Sequence, residues 1–129
     1  MNVFTKGRMN RPTYWLSLGI VVVIYALLIA FTTKPPAIAE VLMILLGVPR
    51  LHDIGRSGWW IALLFVFEIA AVGIGFMLLP LAMVMIVAGL VLFIMLIAMG
   101  ILGCIPGDSG PNVFGEPPGP GVSFKWAGA

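Results

Sequence analysis

Val48-Pro49-Arg50-Leu51-His52-Asp53-Ile54-Gly55-Arg56-Ser57-Gly58-Trp59-Trp60 is an island of charge and turn residues inside an otherwise apolar chain. It separates two hydrophobic halves, and each half has the length of a two-helix hairpin crossing a bilayer. Upstream, Trp15 to Phe31 gives 17 residues, or about 26 Å of helix, close to the hydrocarbon thickness. Thr32-Thr33-Lys34-Pro35-Pro36 cannot continue that helix, because prolines remove backbone donors and restrict the residue before them. The next apolar run, Ile38 to Val48, is short alone; it reaches about 27 Å if the helix starts near Pro36 and passes through Pro49, with a kink, to Asp53. Gly55 is then the natural stop and Ser57 the cap of the next helix.

Downstream, Trp59 to Ile105 contains only Glu68 and Cys104 as ionisable residues and would reach about 70 Å as one helix. That is two spans, with the break between Gly73 and Leu81, where Gly73, Gly75 and Pro80 cluster. After Ile105 the text turns to Pro106-Gly107-Asp108-Ser109-Gly110-Pro111-Asn112 and Pro117-Pro118-Gly119-Pro120-Gly121, an irregular Gly/Pro-rich tail over residues 106–129. Residues 1–14 are polar and basic, broken by Gly7 and Pro12, and end in Tyr14-Trp15, an aromatic pair of the membrane–water boundary. The expectation is one all-α membrane domain over residues 1–129. It has a short interfacial N-terminal segment and four transmembrane helices at about 15–31, 36–53, 59–77 and 81–105.

Composition agrees: 61% of the 129 residues are hydrophobic and 9% charged, too little polar surface to cover a water-soluble globule. The seven Lys and Arg residues flank apolar runs, which is a topology signal and not a nucleic-acid patch. With both termini cytoplasmic, Lys6, Arg8, Arg11, Arg50, Arg56 and Lys125 lie inside and Lys34 outside. The run from Trp15 to Phe31 exceeds a usual signal core and reads as an uncleaved span. Cys104 stands alone, so there is no intrachain disulfide, and Ile101-Leu102-Gly103-Cys104 lies too far along the chain for a lipidation signal.

Phe4-Thr5-Lys6-Gly7-Arg8, Arg11, Tyr14-Trp15, the block from Arg50 to Trp60, and Pro106-Gly107 with Gly110, Asn112, Phe114-Gly115 and Pro117 form an ordered series. The chain resembles the domain-of-unknown-function 805 family of small bacterial inner-membrane proteins. Pro49, where an additional basic residue is common, and the very short N-terminal tail depart from that pattern. The resemblance implies a bacterial inner membrane and four helices, and it brings no reaction, substrate or catalytic residue with it.

Arg50 and Asp53 are three apart and share a helix face, so they can pair with each other or with Arg8 and Arg11 in a cytoplasmic polar clasp. The alternative is a headgroup site in which Arg8, Arg50 and Arg56, with Trp59 and Trp60, hold the phosphate of an anionic lipid. His52 beside Asp53 suggests a general base, but neighbours on a helix point about 100° apart and no nucleophile accompanies them. One His and one distant Cys lack metal-ligand spacing, and the five methionines between 77 and 99 scatter over several faces. No cofactor or metal is expected.

Glu68 lies about 12 Å into the membrane beyond Trp60, where a charge costs about 2.5–3.5 kcal/mol. It reads as a partner contact, a proton-relay group or an internal hydrogen bond, and the absence of a second intramembrane acid argues against a relay. Small residues such as Gly73, Gly89, Gly100 and Gly103 permit close helix approach, inside this bundle or against another protein. The first functional expectation is a non-enzymatic accessory or scaffold subunit docking on other integral membrane proteins. The second is a small transporter or lipid-handling protein, oligomeric, using Glu68 and the Arg/Trp island.

Overall fold

The computed structural model describes residues 6–32 and 38–124, without the Ala39 side chain. Phe4-Thr5, the Lys34-Pro35-Pro36 turn and Lys125 lie outside the described residues. Four helices follow in order: α1 (Arg11–Phe31), α2 (Ala39–Asp53), α3 (Trp59–Leu78) and α4 (Leu81–Cys104). Three of them, α1, α3 and α4, are long and apolar enough to cross a membrane. No strand occurs among the described residues.

The ends of the helices are set by local chemistry. Helix α1 begins at Arg11, four residues before the expected boundary, because Asn10 caps it: its Oδ1 accepts the Thr13 N–H at 3.0 Å. Pro12 is not a breaker here; it sits in the first turn, where a missing N–H costs nothing. Helix α2 starts at Ala39 instead of Pro36 and has 15 residues, about 22 Å. It runs through Pro49 to Asp53, and Gly55, two residues beyond, has φ +69° and turns the chain away. The Gly55 and Arg56 amides donate to the His52 and Leu51 carbonyls at 3.1 and 2.8 Å, the paired bonds of a glycine-terminated helix. Gly58, already helical, precedes α3, and the Oγ of Ser57, the expected cap, accepts the Trp59 N–H at 3.4 Å. Between α3 and α4 the chain turns at Leu79-Pro80, inside the expected interval, and the Pro80 carbonyl accepts the first amides of α4.

Helices consecutive in the chain run antiparallel. Near the start of α1, Tyr14 donates its hydroxyl to the Met99 carbonyl of α4 at 2.7 Å, and Trp15 donates its indole N–H to Gly103 at 3.2 Å. The last turns of α2 meet the first of α3: Gly47 faces Ile61, and Gly58 faces Val48. Helices α2 and α4 lie between α1 and α3, which do not touch each other. The beginnings of α1 and α3 and the ends of α2 and α4 therefore gather at one end of the bundle.

The core gathers there too. Tyr14, Val48, Leu51, Ile61, Met99 and Leu102 form a buried cluster, while most large apolar side chains further along α1, α3 and α4 are exposed, as lipid solvation allows. Helix α4 buries Val84, Val91, Met95, Met99 and Leu102, spaced by whole turns along one stripe.

Close approach falls at particular glycines. A Cβ on Gly103 would lie 2.7–2.8 Å from ring atoms of Trp15 and Tyr14, whereas Cβ atoms on Gly73, Gly89 and Gly100 would meet nothing. The expected role of those three in packing within the chain is thus not observed; they face outward. Gly103→Ala should destabilise the protein by about 1–3 kcal/mol through overpacking against two fixed rings. Gly100→Ala should be neutral or stabilising by about 0.5–1 kcal/mol. Denaturant unfolding in mild detergent measures both, and equal stabilities would refute this packing.

Candidate functional site

The last turn of α2 carries Arg50, His52 and Asp53, and all three side chains are buried. A fourth polar residue, Arg8, reaches them from the N-terminal segment and is 3% exposed, although it lies 45 residues away in sequence from Asp53. Asp53 sits between two arginines. Arg8 donates Nε–H to its Oδ1 at 3.0 Å, and Arg50, one helical turn back, donates to Oδ2. Arg50 and Asp53 share a face because they are three apart.

Two guanidinium groups and one carboxylate leave an excess positive charge in a buried place, where an uncompensated charge is costly. Backbone carbonyls compensate it. Arg8 also donates to the carbonyls of Gly110 (2.7 Å), Gly115 (3.3 Å), Asp108 (2.6 Å) and, more weakly, Asp53 (3.4 Å). Arg50 donates to Leu102 (3.3 Å), Met9 (3.1 Å) and Ile105. Only the five-donor, rigid fork of arginine can meet so many acceptors from one position.

Those acceptors are well chosen. The final carbonyls of an α-helix lack intrahelical partners and carry partial negative charge. Leu102, Gly103 and Ile105 are the carbonyls at the end of α4, and they are met by Arg50, by Trp15, and by Arg11 together with Arg50. Arg11 therefore does not pair with Asp53; its Nε–H goes to Ile105 at 3.2 Å and the residue stays exposed.

Both tails close over this cluster. The Asp108 amide donates to the Asp53 carbonyl at 2.7 Å, Met9 to Pro49 at 3.0 Å and Gly7 to Phe114 at 3.2 Å. Asn112 and Gly115 exchange backbone bonds in a tight turn, and the Asn112 side chain donates to the His52 carbonyl at 2.9 Å. The His52 ring stacks on Phe114, 4.0 Å between centroids and 4° from parallel, and its Nδ1 donates to the Gly7 carbonyl at 2.9 Å. Nδ1 is thereby engaged by the Gly7 carbonyl and not by the adjacent Asp53. Gly107 must be glycine, because a Cβ would overlap the Asp53 carboxylate.

Arg56, Trp59 and Trp60, the other members of the sequence-predicted group, stay exposed on the loop and at the start of α3. Glu68 lies in α3 away from the clasp. Sequence reasoning missed its neighbour. Gly47 of α2 faces Ile61 of α3, and seven residues from each, two turns along the same faces, stand Glu40 and Glu68. Glu40 is close enough to act on Glu68 through its charge, and its Oε2 is enclosed without a hydrogen-bond partner among the described residues. Counting antiparallel positions outward from the Asp53 turn could have found the pair, but its register was set only by the Gly47–Ile61 contact.

The profile of the family described as "Protein of unknown function (DUF805)" matches residues 36–116, more than half of the chain. The chain belongs to this family. The 805-family match takes in α2, α3, α4 and the tail as far as Glu116, and hence every carbonyl that Arg8 meets, while Arg8 itself lies before it. Neither the curated proteins nor the solved structures contain a match to the chain.

Asp53→Asn removes the one carboxylate between two buried guanidinium groups, and breaking a buried pair in this way costs about 3–5 kcal/mol. Unfolding of the detergent-solubilised variant should show that loss, with faster proteolysis of residues 106–121. A loss below about 1 kcal/mol, the size of an exposed ion pair, would contradict the burial described.

Proposed function

We propose that this 805-family protein is a non-enzymatic, multi-pass subunit of the bacterial inner membrane that serves as an accessory or scaffold for other integral membrane proteins. Four crossings with both termini cytoplasmic suit its antiparallel order. Helices α1 and α3 start at the same end, which supports a reading in which α2 returns across the membrane between them. Its roughly 22 Å is short of the hydrocarbon core, a mismatch that local bilayer thinning accommodates. Lys6, Arg8, Arg11, Arg50 and Arg56 all belong to the clasped end, which the charge rule puts inside.

The observation that supports the reading is the saturation of the clasp. Arg8, Arg50 and Asp53 are engaged by the chain's own groups, and His52 is stacked and bonded within it. Along the spans, what remains for an outside partner is apolar helix surface, with Gly73, Gly89 and Gly100 open for close approach. A second reading, a small transporter, has the Glu40–Glu68 facing pair in its favour, since intramembrane acids mark ion or proton paths.

One purification separates the two. Tagged protein taken at native expression into mild detergent should carry a larger membrane protein at fixed stoichiometry by native mass spectrometry. Recovery without another protein, together with a proton flux in proteoliposomes that Glu68→Gln abolishes, would overturn the scaffold reading in favour of transport.

A further inference from the structure

The ends of α2 and α4 and the start of α3 leave a groove of about 270 Å³ on the side of the bundle, lined by apolar residues including Leu51, Leu64, Ala98, Ile101 and Ile105, with Trp60 at its rim. It extends along α4 from Ile105 to Ala98, seven residues or about 10 Å into the apolar zone. At its outer end it adjoins a second hollow, lined by Arg56 together with the shared Leu51 and Trp60. Greasy trough and cation are thus continuous through two common residues.

Arg56 differs from the arginines of the clasp. Arg8 and Arg50 have fully buried side chains whose donors are directed at the chain's own acceptors, and Arg11 is tied to Ile105. Arg56 is exposed, is held in place by its amide bond to Leu51, and makes no side-chain hydrogen bond or ion pair among the described residues. Five donors at the headgroup level, beside a tryptophan that is 57% exposed, are the components of phosphate recognition at a membrane surface.

We infer that this groove binds one phospholipid of net negative headgroup, with an acyl chain along Leu64 and Ala98 and the phosphate on Arg56. Charge complementarity selects the occupant. A soluble anion would engage Arg56 and leave the apolar trough unfilled, whereas a zwitterionic lipid would fill the trough but bring to Arg56 a phosphate already offset by its own ammonium. An anionic amphiphile makes the fullest use of both parts. The headgroup site foreseen from Arg8, Arg50 and Arg56 together thereby contracts to Arg56 and Trp60, because the clasp consumes the other two. The inference is independent of the scaffold reading.

The test is native mass spectrometry of the full chain, delipidated in detergent and titrated with phosphatidylglycerol or phosphatidylcholine. One saturable phosphatidylglycerol per chain is expected, in preference to phosphatidylcholine. Arg56→Gln should weaken it about five-fold or more, while Arg56→Lys retains most of the affinity. Ala98→Phe, which fills the trough and leaves Arg56 in place, should weaken it as well. Unfolding curves equal to those of the unaltered protein establish that the variants are folded, and Arg56, being exposed, tolerates substitution. Equal binding of the two lipids, no effect of Arg56→Gln, no effect of Ala98→Phe in the folded protein, or displacement by inorganic phosphate would each overturn the assignment.

Discussion

Asp53 has one carboxylate and two arginines, and the arrangement at the clasped end follows from that imbalance. A buried pair with equal charges could close on itself. Two guanidinium groups around a single acid must find further acceptors, and the acceptors within reach are backbone carbonyls of the two tails and of α4. The excess charge therefore organises segments that have no hydrophobic reason to fold. Residues 106–121 are rich in glycine and proline and carry no apolar period, yet they lie against the bundle because Arg8 and Asn112 hold their main chain in place.

The same interaction resolves a problem at the end of α4. Its last carbonyls would otherwise face the boundary of an apolar medium without donors, which is expensive in lipid. Arg50, Arg11 and Trp15 supply the donors from two other helices, so the end of α4 is joined to α1 and α2 by polar bonds in a protein where burial of apolar area contributes little between helices. Gly103 and Gly107 admit this closeness at two points, one against aromatic rings and one against the carboxylate. Away from the clasp the bundle is exposed to lipid, and its firmest core lies at the clasped end.

Much of this architecture was legible because lipid solvation leaves strong marks. The boundaries of α3 and α4, the turn near Pro80 and the stop at Gly55 follow from apolar length and from turn chemistry, and the Arg50–Asp53 pairing follows from a spacing of three. Other features left no mark. In α4 the buried stripe through Val84, Val91 and Met95 is as apolar as the lipid-facing residues around it, so no periodicity distinguishes it. Arg8 reads as an ordinary topology charge; its burial depends on a contact with a residue 45 positions away. Pro12 reads as a breaker until Asn10 is seen to cap the helix it begins. Glu40 falls inside the expected second span without a partner in view, and only the Gly47–Ile61 contact sets the register that puts it opposite Glu68.

The clasp stands or falls with the C-terminal tail being a folded part of the molecule, held by buried arginines. Amide hydrogen exchange of the intact protein in nanodiscs addresses it directly, because the amides of Asp108, Asn112 and Gly115 are bonded to Asp53 and to each other. These amides should exchange as slowly as those in the last turn of α2, and Arg8→Ala should release them selectively while α3 and α4 stay protected. Exchange at the rate of an unstructured chain in the unaltered protein would contradict the claim, and with it the clasp.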